Sequence, residues 1–144
     1  MRRTLAFCLA LLLSSGFAMA EGITHKIAIH IDESDMRLMN MALNNANNAR
    51  NYFQSIGDEV VLEIVAYGPG LQMFLKGQSP VADRIETMAL EYDDIQFSAC
   101  GNTLRNMSKN LDRPLEILEE ATVVESGVAR LVLLQEDGYS YIRP

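Results

Sequence analysis

Short apolar runs alternate with stretches of helical periodicity along most of this chain. The runs predict five strands, at Lys26 to Asp32, Glu59 to Tyr67, Ile95 to Ala99, Thr122 to Val124 and Tyr139 to Ile142. The second run is nearly continuous, which is typical of a parallel strand covered on both faces. Strands that alternate with helices predict an α/β fold, with a parallel sheet, right-handed crossovers and helices on both faces.

The segments between the strands carry helix signals. Ser34 or Asp35 can cap the first helix, and Gly57 ends it. Proline is well placed in a first helical turn, so Ser79 and Pro80 predict the start of a helix that ends near residues 91–94. The remaining predicted helices are a short one at Leu71 to Gly77 and longer ones at Thr103 to Asn110 and Ser126 to Asp137.

Two of these helices have unusual surfaces. The first carries a stripe of asparagines, for which a solvated face is the favoured interpretation and a subunit interface held by amide hydrogen bonds the alternative. The last is apolar on more than one face, which indicates deep burial or, as we favour, an oligomer contact. The stripe comprises Asn40, Asn44, Asn47, Asn48 and Asn51, and the apolar residues are Val128 and Leu131 to Leu134.

The first twenty residues have the layout of a cleaved secretory signal. Arg2 and Arg3 precede the apolar run Leu5 to Leu13, and Ala18-Met19-Ala20 supplies the small residues of a cleavage site. The run is shorter than the roughly 20 residues that cross a bilayer, so a membrane anchor is the weaker interpretation. We therefore expect a signal peptide at residues 1–20, one domain at 21–144, and a periplasmic or secreted protein.

The charge of the exported form narrows its partners. Without Arg2 and Arg3, ten basic residues stand against nineteen acidic ones, a net charge of −9. An acidic surface argues against nucleic acid, whose phosphates need a basic face, and against an anionic membrane surface. Length and apolar content suit one domain with one core, and no membrane partner is expected after cleavage.

Cys100 is the single cysteine of residues 21–144, an odd number for an exported protein. It is either a small buried side chain or a reactive thiol. It follows a predicted strand and precedes a helix, whose N-terminal partial charge and free amides stabilise a thiolate. Gly101 allows a backbone amide to approach a bound group, and Asn102 can cap the helix or bind a ligand. This context favours a functional thiol.

Two further turns lie at predicted carboxyl ends of strands, where ligands bind in open α/β sheets. Gly68-Pro69-Gly70 is either an anion-binding nest or, as we favour, a tight turn that shapes a pocket wall with Tyr67 on its rim. It lacks the Gly-Lys-Ser/Thr of a phosphate-binding loop.

The second turn, at Asp32 and Glu33, is acidic. With Asp35 and His30 it could hold a metal, but capping of the next helix is favoured, because metal sites need more ligands. We expect no metal and no organic cofactor. A cysteine–histidine pair would need His25 or His30 close to Cys100, which remains open.

Five segments, in this order and spacing, resemble the DsrE/DsrF-like sulfur-relay family, in particular its small exported members. They are HKIAIHID, ALNNANNARNYF, AYGPGL, FSACGNTL and SGVARLVLLQEDGYSYIRP. The resemblance implies a three-layer α/β/α fold, a flavodoxin-like variant with a five-stranded parallel sheet in the order 4-3-2-1-5, and assembly into trimers or hexamers. It also implies that Cys100 carries sulfur as a persulfide and passes it to partner thiols.

The implied strand order places the turn from Tyr67 to Gly70 beside Cys100, with Asp32 further away, which weakens a joint site with His30. Our first hypothesis is a sulfur carrier, transferase-like if active, with a donor or acceptor protein as its partner. The second is a non-catalytic oligomeric module that binds a small anion, a sulfur compound or a protein, with Cys100 structural. The third is a purely structural oligomer. Expected site residues are Cys100 as nucleophile and, lining it, Tyr67, Gly68, Pro69, Gly70, Gly101 and Asn102.

Overall fold

The computed structural model describes residues 22–144, and there strands and helices alternate as the periodicity predicts. The predicted signal peptide lies outside the described residues. The strands are β1 (Thr24–Ile31), β2 (Glu59–Ala66), β3 (Ile95–Cys100), β4 (Ala121–Val124) and β5 (Ser140–Ile142). The helices are α1 (Met36–Ser55), α2 (Ala82–Glu91), α3 (Gly101–Asn110) and α4 (Gly127–Glu136), with a 3-10 helix at Gly68–Phe74.

The five strands form one parallel sheet in the order β4-β3-β2-β1-β5. This confirms the predicted α/β class and the strand order that the resemblance implied. The register aligns His30 with Val65 and Val65 with Ser98. At the carboxyl edge, Cys100 pairs with Val124 of β4. The ends of β3 and β4, and the helices that follow them, therefore meet at one place.

The two faces of the sheet are covered unequally. One face packs against α1, α2, α3 and the 3-10 helix in an extensive apolar core, and we call it the three-helix face. The other face is covered by α4 alone, in a small cluster, and we call it the α4 face. Sheet residues of the first core include Ile29, Ile31, Leu62, Ile64, Ala66, Ile95, Phe97 and Ala99. The second cluster consists of Ala28, Val65, Leu131 and Leu134, with Tyr67 and Tyr139 packed against it.

The buried polar side chains of the described residues lie on the α4 face. They are His30, Glu63 and Ser98, each at most 4% exposed. Because side chains alternate between the faces of a strand, Glu63 shares a face with Val65, and Ser98 shares one with Cys100. The apolar positions between them point into the larger core. Polarity is thus confined to the side that carries the cysteine.

Between β2 and β3, two predicted helix starts differ from the structure. The segment after Tyr67 turns into its 3-10 helix at Gly68, three residues before the predicted start at Leu71. The next helix begins at Ala82 rather than at Ser79 and Pro80. The Ser79 hydroxyl donates to the Met73 carbonyl and accepts from the Val81 amide, so these residues form a separate turn before α2.

The asparagine stripe of α1 is only partly solvated, so that favoured interpretation was incomplete. Asn40 and Asn44 accept hydrogen bonds from Arg84 of α2, at 2.5 and 2.8 Å. Asn47 is half-buried, while Asn48 and Asn51 are exposed. The stripe therefore joins two helices of the same chain along one edge.

The last helix buries only part of its apolar surface. Leu131 and Leu134 are buried, whereas Val128, Val132 and Leu133 are 59%, 49% and 56% exposed. None of the helices in residues 22–144 is both long and apolar enough to cross a membrane. The exposed apolar residues of α4, Val128, Val132 and Leu133, thus form an apolar strip beside the small cluster.

Candidate functional site

Cys100 ends β3 and caps the N-terminus of α3. Its backbone is extended, with φ −68° and ψ 113°, and its side chain accepts a hydrogen bond from the Thr103 amide at an N to Sγ distance of 3.4 Å. Helix α3 starts directly at Gly101, two residues before the predicted start. The cysteine is 4% exposed, so the sulfur lies under its surroundings rather than on the surface.

A second helix begins against the same cysteine. Gly127 opens α4, and a Cβ built there would lie 3.0 Å from Cβ of Tyr67 and 3.1 Å from Cβ of Cys100. The Asn102 amide donates to the Glu125 carbonyl at 3.1 Å, which ties the start of α3 to the loop before α4. The positive ends of two helices therefore converge on one side chain.

These surroundings lower the pKa of the Cys100 thiol below its ordinary value. Burial, the largest single influence, raises the pKa, but hydrogen bonds from the Thr103 side chain and from the amides of Gly127, Thr103 and Asn102 outweigh it. The Asn102 amide, which also donates to Glu125, contributes the least of these. Asn102 therefore acts as the sequence suggested, and the Gly127 and Thr103 amides contribute more. The thiolate that they favour is the nucleophilic form of cysteine.

Thr103 connects the cysteine to the turn after β2. Its hydroxyl oxygen accepts from the Gly68 amide at 3.0 Å, and the same side chain helps to lower the pKa of Cys100. Gly68 has a φ of +53°, a conformation that glycine adopts without strain. The turn and the cysteine are thereby joined through one side chain.

The residues expected to line the site divide into two groups. Tyr67 packs against the Gly127 backbone beside Cys100, and Gly101 lies against Val123 and Val124, where a Cβ would come within 3.0 Å of both. Pro69 is exposed, and Gly70 packs against the Ile31 backbone instead. The structure therefore brings Tyr67, Gly68, Gly101 and Asn102 to the cysteine, whereas Pro69 and Gly70 shape the far side of the turn.

His30 belongs to β1, two strands from Cys100, and lies next to Tyr67. It is 4% exposed, its Nδ1 lies 2.7 Å from the Tyr141 hydroxyl, and its ring centroid lies 4.5 Å from that of Tyr67. Burial lowers the pKa of His30, Asp32 opposes this, and the Arg143 guanidinium adds to it. Tyr67 is thus flanked by both His30 and the cysteine, with the aromatic ring between the two strands' ends.

The acidic turn is occupied by structural contacts. Asp35 caps α1 through the Arg37 amide at 2.7 Å, as the capping interpretation predicts, and Asp32 pairs with Arg143 at 3.0 Å. Across residues 22–144, no three or more His, Cys, Asp or Glu side chains are grouped in a way that could hold a metal ion. The polar residues of this turn stabilise the fold locally.

Sequence reasoning missed Gly127, Glu63 and Arg130. Glu63 and Arg130 form an ion pair on the sheet face that carries the cysteine, with the Arg130 Nη2 2.6 Å from a Glu63 oxygen. The Ser126-Gly127 pair after the fourth strand signals a helix start. Together with the neighbouring positions of β4 and β3 in the sheet, that helix start places Gly127 next to Cys100.

Comparison with known proteins bears on the same stretch of chain. A family model described as the DsrE/DsrF-like family matches residues 25–144. Among solved structures, the chain is similar to the protein of unknown function MTH1491 from Methanobacterium thermoautotrophicum, with a TM-score of 0.70 and 30% sequence identity. That alignment covers 83% of this chain and 99% of the other. No curated protein matches the chain.

Proposed function

The chain belongs to the DsrE/DsrF-like family, and we propose that it is a sulfur carrier whose Cys100 holds a sulfane sulfur atom as a persulfide and passes it to a partner thiol. The family is associated with sulfur relay in general. The finer assignment needs a cysteine that can ionise and that can act as both nucleophile and leaving group. The protein is better described as a carrier than as an enzyme, because the sulfane sulfur atom leaves Cys100 chemically unchanged.

One observation carries the proposal. The Thr103 amide donates to the sulfur of Cys100, and the Gly127 backbone at the start of the second helix lies against the cysteine. Together these two helix starts lower the pKa of the thiol against the effect of burial. A lowered pKa raises the fraction of thiolate at a given pH and makes that thiolate the better leaving group in sulfur exchange. The same donors suit the negative charge of a persulfide.

The proposed exchange is balanced without a cofactor. The Cys100 thiolate attacks the outer sulfur of a persulfide or polysulfide donor, and one S–S bond forms while another breaks. The donor leaves as a thiolate if it was a persulfide, or as a polysulfide shorter by one sulfur. A partner thiolate then attacks the outer sulfur on Cys100, and the Cys100 thiolate leaves. No net oxidation occurs in either step. Gly127 lies against Cys100, and Tyr67 also packs against Gly127, so these two residues are neighbours of the exchanging sulfur.

The test is intact-mass spectrometry of the folded protein before and after exposure to inorganic polysulfide. We expect a gain of one sulfur atom that maps to Cys100 and is reversed by a reducing thiol. The matched control is Cys100→Ser, which removes the sulfur while keeping a side chain of similar size. A Cys100 that stays unmodified in correctly folded protein would contradict the proposal, as would equal loading of the serine variant.

The burial of Cys100 favours one alternative. At 4% exposure the cysteine could be a packing residue of a non-catalytic module that binds a small anion, a sulfur compound or a protein. The two functions differ in the rate at which a small alkylating reagent labels the native thiol at neutral pH. Fast labelling supports the carrier, and labelling only on unfolding supports the binding module.

We further propose that the protein acts outside the cytoplasm, as a periplasmic or secreted protein. The support is the signal-like layout of residues 1–20. N-terminal sequencing of the protein recovered from fractionated cells tests this. A start at Glu21 in the exported fraction is expected, and an intact Met1 in the cytoplasmic fraction would contradict it.

We also propose that the chain forms a trimer or hexamer through α4. The support is its strip of exposed apolar residues, Val128, Val132 and Leu133, next to a sheet face that a single helix covers. Sedimentation equilibrium should give three or six times the monomer mass, and Leu133→Glu should lower it. A wild-type monomer at micromolar concentration would contradict this assembly.

A further inference from the structure

A charged residue is buried in the centre of the sheet. Glu63 belongs to β2, the middle strand, and is 2% exposed. Burying an unpaired carboxylate is strongly unfavourable, so the presence of Glu63 here requires strong partners. Those partners are Ser98, whose hydroxyl donates at 2.6 Å, and Arg130, whose Nε and Nη2 donate at 2.7 and 2.6 Å.

The arginine of this pair lies in the first turn of α4. Arg130 follows Gly127 by three residues, and its amide donates to the Ser126 carbonyl at 2.9 Å. A two-pronged guanidinium–carboxylate contact fixes orientation as well as distance. The start of α4 is therefore held on β2 by a contact that tolerates little rotation or sliding.

The apolar packing of α4 does not impose the same geometry. Only Leu131 and Leu134 of its long side chains are buried, against Ala28 and Val65. Apolar contacts are non-directional, whereas buried ion pairs are best attested as devices that fix register. The position of Gly127, whose backbone lies against Tyr67 and Cys100, thus depends on the pair.

We infer that Glu63 and Arg130 are positioning residues for Cys100, because they hold the first turn of α4, and with it the Gly127 backbone, against the cysteine. Ser98 adds a second anchor, since it binds Glu63 and precedes Cys100 by two residues on the same strand face. The inference rests on the proposed function and deepens it, because it assigns residues that keep the pKa of the Cys100 thiol lowered.

The test is the pH dependence of Cys100 alkylation in the folded protein. Arg130→Lys keeps the charge but removes the two-pronged contact, and Glu63→Gln combined with Arg130→Met removes both charges without leaving one buried alone. In both variants we expect the midpoint of the pH–rate profile to rise by about half a pH unit or more, which means about threefold less thiolate well below the midpoint. Circular dichroism shows which samples are folded.

A matched control is available at the other end of the sheet. Arg50 donates from Nε to both carboxylate oxygens of Asp94, at 2.9 and 2.8 Å, and both side chains are mostly buried. Asp94 directly precedes β3, whereas Cys100 ends it. Arg50→Lys should weaken a comparable ion pair and leave the midpoint of the Cys100 profile unchanged.

The outcomes separate this inference from a purely structural role. A raised midpoint in the Arg130 variants, with an unchanged one in Arg50→Lys, supports positioning. Equal midpoints in folded wild type and in either folded pair variant overturn it, and so do shifts that the control reproduces. Alkylation needs no sulfur donor, so a shift of the midpoint without persulfide loading would refute the proposed function and leave this inference standing.

Discussion

The three-helix face and the α4 face of the sheet use the same strands for different purposes. Towards the three helices the strands present a layer of buried apolar side chains that includes Ile64 and Phe97. Towards α4 the same strands present His30, Glu63, Ser98 and the cysteine, each nearly inaccessible to solvent. Burial of apolar area stabilises a fold in proportion to that area, whereas buried polar groups cost free energy unless they are paired. The three-helix face therefore stabilises the fold. The α4 face places polar groups where they lower the stability but form the candidate site.

The largest expected loss of stability comes from a substitution in the core of the three-helix face. Phe97 is 1% exposed and its ring meets that of Phe74 edge-on, with centroids 5.9 Å apart. Phe97→Ala should lower the free energy of unfolding by about 3–5 kcal/mol, measured by urea denaturation. Leu131→Ala, in the small cluster under α4, should cost less. A larger loss at Leu131 than at Phe97 would contradict the division between the faces.

A substitution of Thr103 is expected to lower stability less than one of Phe97 but to change the pKa of the Cys100 thiol. Its side chain accepts from the Gly68 amide and helps to lower the pKa of Cys100. Thr103→Val keeps the shape but removes the hydroxyl, so we expect a loss of about 1–2 kcal/mol and a rise of the thiol pKa. Urea denaturation and the pH–rate profile of alkylation measure the two. Thr103→Ser should retain the low pKa, and an unchanged pKa in the valine variant would disprove the role.

The pH dependence of stability tests His30. Burial lowers the pKa of His30 in the folded state, so the unfolded chain binds more protons, and stability falls as the pH drops through the ordinary histidine value of about 6.5. His30→Gln should remove this contribution. The gap in unfolding free energy between wild type and variant should therefore narrow between about pH 8 and about pH 5. A gap that stays constant or widens would show that His30 is not held neutral.

The smallest effect is expected on the outer surface of the three-helix layer. Asn44 is exposed and accepts one hydrogen bond from Arg84. Asn44→Ala should change the unfolding free energy by about 0.5 kcal/mol or less and leave Cys100 alkylation unaltered. Thermal denaturation is sufficient to measure it. A loss of more than about 1.5 kcal/mol would mean that the stripe holds the helices together more strongly than its exposure indicates.

The apolar face could be predicted from sequence because its information is local. The run from Glu59 to Tyr67 and the periodic positions of α1 indicate their elements without knowledge of neighbours. The predicted start of a helix is wrong where a side chain competes for the backbone hydrogen bonds. At Ser79, for example, the hydroxyl makes hydrogen bonds that form a turn before α2. The strand order came from the family resemblance rather than from periodicity.

The site was less predictable because its parts come from distant segments. The position of Cys100 between a strand and a helix was visible in the sequence, and so was the neighbouring turn at Gly68. The Gly127 amide and the pairing of Glu63 with Arg130 depend on how α4 lies across the sheet, over a separation of 67 residues. A glutamate in an apolar strand predicts that a buried partner is present, but the sequence does not show which residue that partner is.

The most direct test of the account is the titration of Cys100 in the folded wild-type protein. Thiolate absorbance is followed against pH, and the signal of folded Cys100→Ser is subtracted to remove contributions from tyrosines and from Cys8. Because helix-terminal donors outweigh burial at this sulfur, we predict a midpoint below the ordinary thiol value of about 8.5. A midpoint at or above that value would contradict the claim that the α4 face is built around a thiolate.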